Sequence, residues 1–385
     1  MRIDLSKRIQ EIAPSATLAV GRKAKELEGK GIRVLNLSVG EPDFPPPPEA
    51  KRAVASALEK NLSKYTDSRG TPVLREAVCR RIKEDLGLDY TPKQVVISCG
   101  SKHTLYNLFQ VLLDPGDQVL IPVPYWTSYP EMVKLAGGVP VFVPPGPTMK
   151  VTPEDLERYA TPKTKCLVIN SPNNPSGVVL SREELAEIAD WVKMRKILVI
   201  SDDAYQHFLY DGRPFYNLAM FSQTYQQTMI VGAASKTYAM TGWRLGWFLG
   251  PEEVANAVAK LQDQSTSNPC SLSQEAALAA LSGSQESVRN MCQEFQRRRD
   301  MLCRTFSEAK EASYPYPEGA FYLFFTHPKI KDSAEFASRL LEETQVALVP
   351  GSAFGMEGYL RLSYAVPQEV LREGVNRLIS YLVAA

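Results

Sequence analysis

Residues 231–250, V-G-A-A-S-K-T-Y-A-M-T-G-W-R-L-G-W-F-L-G, decide how the rest of the chain reads. An apolar run, Met229, Ile230 and Val231, enters a turn of small residues, as a strand does at its end. Ser235 and Lys236 come next, then Gly242, Arg244, Gly246 and Gly250. A lysine amine can form a Schiff base with a carbonyl once it is desolvated. Lys236 has Ala233, Ala234, Tyr238, Met240 and Trp243 near it in sequence, a mostly apolar setting. A solitary lysine is ordinarily a solvated surface charge. Here the Ser235 hydroxyl and the Arg244 guanidinium bracket it, and those groups are what a phosphate needs.

A carbonyl and a phosphate beside one lysine suggest pyridoxal 5′-phosphate (PLP) as cofactor. The pattern S-K-x5-G-x-R-x-G resembles the lysine signature of class I aminotransferases of PLP fold type I. The resemblance runs from Pro14 to Ala365 and is closest to the gamma subgroup, which includes prokaryotic aspartate aminotransferases. It implies an α/β fold with a mainly parallel seven-stranded sheet in a large domain, plus a smaller α+β domain. Runs beginning at Val95, Val119, Val139, Cys166, Ile197, Met229 and Leu245 supply seven strands independently, and their lack of polar alternation fits a sheet covered on both faces. The expected limits are residues 1–47 for an N-terminal arm and part of the small domain, 48–285 for the large PLP-binding domain, and 286–385 for the small C-terminal domain.

Composition is compatible with this and excludes other classes. The 385 residues exceed the ~250–300 that one core usually serves, so two domains are expected. Hydrophobic residues make up 44% and charged ones 23%, as in ordinary globular chains. A net charge of +1 gives no electrostatic footprint for nucleic acid. No run of ~20 apolar residues spans a bilayer, and the N-terminus lacks an apolar signal core. Six scattered cysteines with no C-x-x-C pair read as free thiols of a reducing compartment, so a cytoplasmic location is expected. His103, His207 and His327 are scattered, and no metal site is expected.

Further motifs fall at the ends of the strand-like runs. The run at 95–98 meets Gly100, Ser101 and Lys102 and then a helical pattern with Leu105, Leu108, Phe109 and Leu112. The free first N–H groups of such a helix form an anion site, here a second wall for the phosphate. Trp126 follows the run at 119–121; the resemblance stacks it on the pyridine ring, while pattern alone leaves a core tryptophan open. Asn174 lies in N-P-S-G, similar to the family's N-P-x-G turn with Ser where Thr is common. The family's asparagine there bonds the cofactor O3′ and the substrate carboxylate. Asp202 and Tyr205 close the run at 197–200 in S-D-D-A-Y, with Asp203 where the family commonly has Glu. By the resemblance, Asp202 keeps the pyridine nitrogen protonated and Tyr205 bonds O3′. Gly40, in G-E-P-D-F before four prolines at 45–48, is placed by the resemblance with its amide against the substrate carboxylate. Arg361, in R-L-S-Y-A, matches the arginine that binds the α-carboxylate, although its alternation also fits a plain half-buried strand with an outward arginine. Tyr65, in K-Y-T-D-S-R-G, matches a tyrosine that reaches the phosphate of the partner subunit, which implies a homodimer with shared sites.

Helices are expected over residues 4–30 with a break at 14–17, and over 49–59, 74–85, 181–194, 252–265, 273–281, 287–310 and 333–344. Further strands are expected at 320–325 and 346–349. The resemblance implies transamination by a ping-pong route, with Lys236 holding the cofactor and shuttling the proton at Cα. Lys102 and Thr17 stand where gamma-subgroup members meet a distal carboxylate, pointing to aspartate and glutamate with 2-oxoglutarate and oxaloacetate. Otherwise Lys102 is an exposed first-turn residue and Thr17 a helix cap. Aromatic or prephenate-like substrates, or β-elimination on the same scaffold, are the alternatives. A non-catalytic regulator is disfavoured by the ~40 residues before Gly40, too few for a typical added domain.

Overall fold

Seven short apolar runs pair side by side into one sheet in the computed structural model, which describes residues 3–384. Residues 1, 2 and 385, which fall within the expected outer domain limits, lie outside the described residues. The strands are β1 (Val95–Ser98), β2 (Gln118–Pro122), β3 (Val139–Val143), β4 (Thr164–Ile169), β5 (Leu198–Asp202), β6 (Thr228–Ala233) and β7 (Gly246–Leu249), in the order β1-β7-β6-β5-β4-β2-β3. Every pairing is parallel except those of β7, which runs antiparallel to both β1 and β6. The expected mainly parallel seven-stranded sheet is the one found.

Alternate side chains explain why the strands carry no polar face. Val95 and Ile97 enter one cluster with Leu74, Ala77 and Val78 of the helix Pro72–Leu86 and with Ala276 and Ala280 of the helix Ser271–Ser282. Val96, between them, points the other way, onto Leu105, Leu108 and Phe109 of the helix Ser101–Leu112. Both faces are therefore under helices, and apolar residues serve at every position. The parallel strands all point the same way, so the turns after β1, β2, β4, β5 and β6 gather along one edge. Ligands of open α/β sheets bind along that edge.

A second layer closes over it. Val349–Pro350, Tyr359–Ser363 and Tyr322–Thr326 form an antiparallel sheet in that order, with Arg361 opposite Phe324 and Ser363 opposite Tyr322. Leu35–Asn36 pairs in parallel with Val346–Ala347, so the N-terminal segment is tied to the C-terminal third. Their shared core holds Leu35, Leu37, Phe295, Phe306, Leu340, Leu371 and Leu378. Phe295 meets Phe44 and Phe208 edge-on and Phe321 at a tilt. Truncating it to alanine would cost ~3–5 kcal/mol.

Prolines account for most departures from the expected elements. The helix expected from 49 begins at Pro48, and the one expected from 74 begins at Pro72, because a first helical residue needs no N–H partner. The helices Tyr129–Leu135 and Pro153–Tyr159 were not expected, since Pro130 and Pro153 mark turns as readily as helix starts. The C-terminal helix Gln368–Ala384 was also not expected. Ser181 and Glu184 form a capping box at the start of the helix Arg182–Arg195. The N-terminal pattern divides into Lys7–Gln10 and Ala16–Gly29, with Ser15 as the cap, so Thr17 is a first-turn residue rather than a cap.

Candidate active site

The strand edge and the second layer enclose a cleft of about 660 Å³. All the expected site residues line it except Gly100 and Tyr65. Its walls come from the turns after five strands, so a single chemical site is assembled from residues 17 to 361.

One end is suited to an anion. Gly100 caps the helix Ser101–Leu112 with φ +90°, and a Cβ there would lie 2.6 Å from Nη2 of Arg244. Only glycine adopts this turn freely and lets the guanidinium approach. Arg244 is itself left-handed at φ +53° after the turn Thr241–Trp243, and Nη1 donates to the Thr241 carbonyl at 2.7 Å. The first amides of the helix, the Ser235 hydroxyl and Arg244 thus stand together at the cleft. Lys102 is exposed, but its amine sits on the cleft side, 4.9 Å from the Trp126 ring centroid. Crowding by protein, then the Arg244 charge, lowers its pKa.

Lys236 follows directly on β6 and is half-buried. Burial lowers its ammonium to about 8; Glu41 opposes this, and Arg361, Arg244 and Lys102 add to it. Its Nζ donates to the Gly40 carbonyl. Gly40 therefore meets the lysine through its oxygen, beside Arg361. Asp202 ends β5 and is buried. Burial raises its carboxyl to about 6, against the lowering from the Tyr129 hydroxyl, which donates to Oδ2 at 2.7 Å, and from the Ala204 amide. Burial and then the Asp202 charge push Tyr129 well above the usual tyrosine range, which makes it a firm proton donor.

The other end is suited to a carboxylate. Leu360 and Leu362 enter the core, so the strand's alternation turns Arg361 to the cleft, where it is 3% exposed. The outward arginine is thereby excluded. Nη1 donates to Asn174 Oδ1 at 2.9 Å and Nη2 to the Ser38 carbonyl at 2.8 Å, while Nε has no partner. Among the described residues no acidic side chain pairs with it. A buried guanidinium without a counter-ion is costly, and an incoming carboxylate relieves that cost. The Asn174 amide donates to the Tyr205 hydroxyl at 3.3 Å, and that hydroxyl is 2.9 Å from the hydroxyl of Tyr322.

Trp126 is half-buried, packed against the core while also lining the cleft. Thr17 lines the mouth, its hydroxyl 3.0 Å from that of Ser15. Tyr65 stands on its loop 90% exposed, away from the cleft of its own chain. Tyr129, Tyr322 and Ser38 were not expected. No local motif marks them; only the pairing of distant strands brings them in. Among the described residues no cluster suited to a metal ion occurs, no helix is long and apolar enough to cross a membrane, and all six cysteines are free.

Comparison with known proteins agrees with this geometry. The chain is 43% identical to an aspartate aminotransferase of Geobacillus stearothermophilus, with 99% of each chain covered. It is 44% identical to an aspartate/prephenate aminotransferase of Cereibacter sphaeroides, with 98% of each covered. Among solved structures, the aspartate aminotransferase of Rhizobium meliloti superposes with a TM-score of 0.95 at 35% identity, over 99% of both chains. That of Thermus thermophilus with maleate gives 0.93 at 41% identity, over 98% of this chain and 99% of the other. Residues 32–378 match the family described as aminotransferase class I and II, and the chain belongs to that family.

Proposed function

We propose that this protein is a PLP-dependent transaminase that moves the amino group of aspartate to 2-oxoglutarate and, in reverse, that of glutamate to oxaloacetate. One observation carries the reading. A half-buried amine near neutrality, a buried carboxyl and a buried guanidinium without a counter-ion converge on one cleft.

The residues present fit the cofactor. Ser235, Arg244 and the amides of Ser101 and Lys102, with Gly100 making room, suit its phosphate. Trp126 suits the ring face, Asp202 the ring nitrogen, and Asn174 with Tyr205 the phenolic oxygen. When bound, the cofactor supplies an aldehyde that takes up the amino group and a protonated ring that accepts the electron pair left on Cα. The rest is done by this chain. Arg361 grips the α-carboxylate and fixes which Cα bond faces Lys236. The Lys236 amine, lowered to about 8, removes the Cα proton and returns it on the other side of the exchange. Ionised Asp202 keeps the ring nitrogen protonated, and Tyr129 steadies that carboxylate. Gly40 lies beside Arg361 at the carboxylate end, and Lys102 and Thr17, which line the same cleft, would meet the distal carboxylate. Transamination of a prephenate-type or aromatic substrate is the second reading, favoured by relatives named for aspartate and prephenate together.

Lys236→Ala should still bind the cofactor, without covalent attachment, while kcat falls ~10²–10⁴-fold. Near-normal turnover by that variant would overturn the assignment.

The exposed Tyr65 supports a homodimer in which this residue completes the partner's phosphate end. Mixing Tyr65→Phe with Lys236→Ala subunits should then regain activity through sites that carry neither lesion; no regain, with an active monomer in sedimentation, would contradict it. The six free thiols support a cytoplasmic location. For the domains we keep residues 1–47 with 286–385 as the smaller unit and 48–285 as the larger.

A further inference from the structure

We infer that Tyr322 is a positioning residue that couples the two halves of the reaction: its hydroxyl orients Tyr205 towards the cofactor, and its ring face holds Arg361 ready for the α-carboxylate. The inference rests on the transaminase reading, which gives Tyr205 and Arg361 their tasks.

The two hydroxyls, of Tyr205 and Tyr322, share one hydrogen bond. A phenol has one proton and two lone pairs. The Tyr205 oxygen accepts from the Asn174 amide at 3.3 Å and lies 2.9 Å from the Tyr322 oxygen. Among the described residues the Tyr322 hydroxyl has no other hydrogen-bond partner; its remaining near neighbours are Gly40 and the donor-only Arg361. Either hydroxyl can donate in this pair, and we take Tyr322 as the donor to Tyr205 once the cofactor is in place. With both lone pairs of Tyr205 occupied, its own proton is free to point into the cleft. If the direction were reversed, Tyr205 would have nothing to give the cofactor.

The same ring supports the carboxylate end. The Arg361 guanidinium lies 4.4 Å from the Tyr322 ring centroid and 5.0 Å from that of Phe354, held between two aromatic faces. A desolvated cation gains from such faces. Nη1 and Nη2 are fixed by Asn174 and Ser38 in the plane this leaves. Position 40 adds a constraint: a Cβ there would sit 3.0 Å from the Tyr322 hydroxyl, so glycine leaves the phenol its place. Asn174, Tyr205, Tyr322 and Arg361 form one connected set, so displacing the phenol disturbs both ends.

Plain core packing would make the hydroxyl dispensable, and Tyr322→Phe separates the two. It keeps the ring against Arg361, Tyr205 and Phe321 and removes only the donor. We expect kcat for aspartate to fall ~3–10-fold with KM nearly unchanged. The pH titration of the bound cofactor's absorbance should move away from that of the unsubstituted protein. Tyr322→Leu should add a ~10-fold rise in KM for aspartate and an equal weakening of maleate binding, measured by equilibrium titration. A Tyr322→Phe protein with unaltered kcat and an unaltered absorbance titration would overturn the inference. So would a Tyr322→Leu protein that binds maleate normally. Thermal unfolding of each cofactor-free variant checks that it folds, and Tyr322→Phe alone decides if the leucine variant does not. Absence of cofactor absorbance and amino transfer in the unsubstituted protein would instead remove the transaminase reading itself.

Discussion

The two ends of the cleft are built in opposite ways. The phosphate end is made of residues adjacent in sequence, the amides of Gly100–Lys102 and the side chains of Ser235 and Arg244, and its charge on Arg244 reaches solvent, as does the nearby Lys102 amine. The carboxylate end is assembled from Ser38, Asn174, Tyr322 and Arg361, and all four are buried. An exposed charge is screened, and its removal leaves little behind. A buried one is fixed by neighbours that lose their partner with it. Substitutions should therefore be costlier, and less selective among amino acids, at the carboxylate end.

Arg361→Lys tests the larger side of that contrast. Lysine keeps the charge but not the fork that Asn174 and Ser38 orient. The expected loss in kcat/KM is ~10²–10³-fold for every amino acid, from ~3–4 kcal/mol at a buried charged pair. Steady-state kinetics with aspartate, alanine and phenylalanine check it; a loss confined to aspartate would place Arg361 at the distal group instead.

Asp202 lies between the two ends and is buried like the second. Its carboxyl stands at about 6 in the folded chain and at 3.8 when free of it. The folded state thus holds that proton more tightly, so the stability it contributes is complete below pH 3.8 and is lost as pH rises through about 6. Asp202→Asn should make the cofactor-free protein more stable at pH 8 by ~2–3 kcal/mol, with the gain gone near pH 3.5. Urea unfolding at both pH values measures it. An equal change at both would mean that charge burial is not the cause.

Lys102→Met is the smallest effect and the most selective. Exposure keeps its interaction modest, so kcat/KM for aspartate should fall ~10–50-fold while alanine and phenylalanine are spared. An equal loss for all three, together with weaker cofactor binding, would move Lys102 to the phosphate end.

The same contrast explains what was legible in the sequence. Gly100, Ser101, Ser235, Lys236 and Arg244 lie within a few residues of strand ends, and short patterns with a strand before them reveal such sites. Arg361 and Asn174 could be named from similar patterns, but not their contact, which joins residues 187 apart. Tyr322 and Tyr129 carried no signal. Tyr322 reaches Tyr205 only because Tyr322–Thr326 pairs with Tyr359–Ser363 and lays its first residue over the cleft. The helix Gln368–Ala384 is different, since Leu371, Val375, Leu378 and Leu382 recur at helical spacing and reach the core. Its signal was present. The helix Pro153–Tyr159 had one too, a capping box of Thr152 and Asp155 around Pro153, whereas Tyr129–Leu135 had none that a turn would not share.

As a transaminase site, this cleft moves an amino group and leaves the carbon skeleton intact. A single half-reaction tests it most directly: cofactor-loaded protein mixed with L-aspartate and no oxo acid, followed by product analysis and the cofactor spectrum. We expect one oxaloacetate per subunit, no free ammonia, and a spectral change that 2-oxoglutarate reverses with formation of glutamate. Release of ammonia, turnover beyond one equivalent without an oxo acid, or no spectral change at saturating aspartate would contradict it.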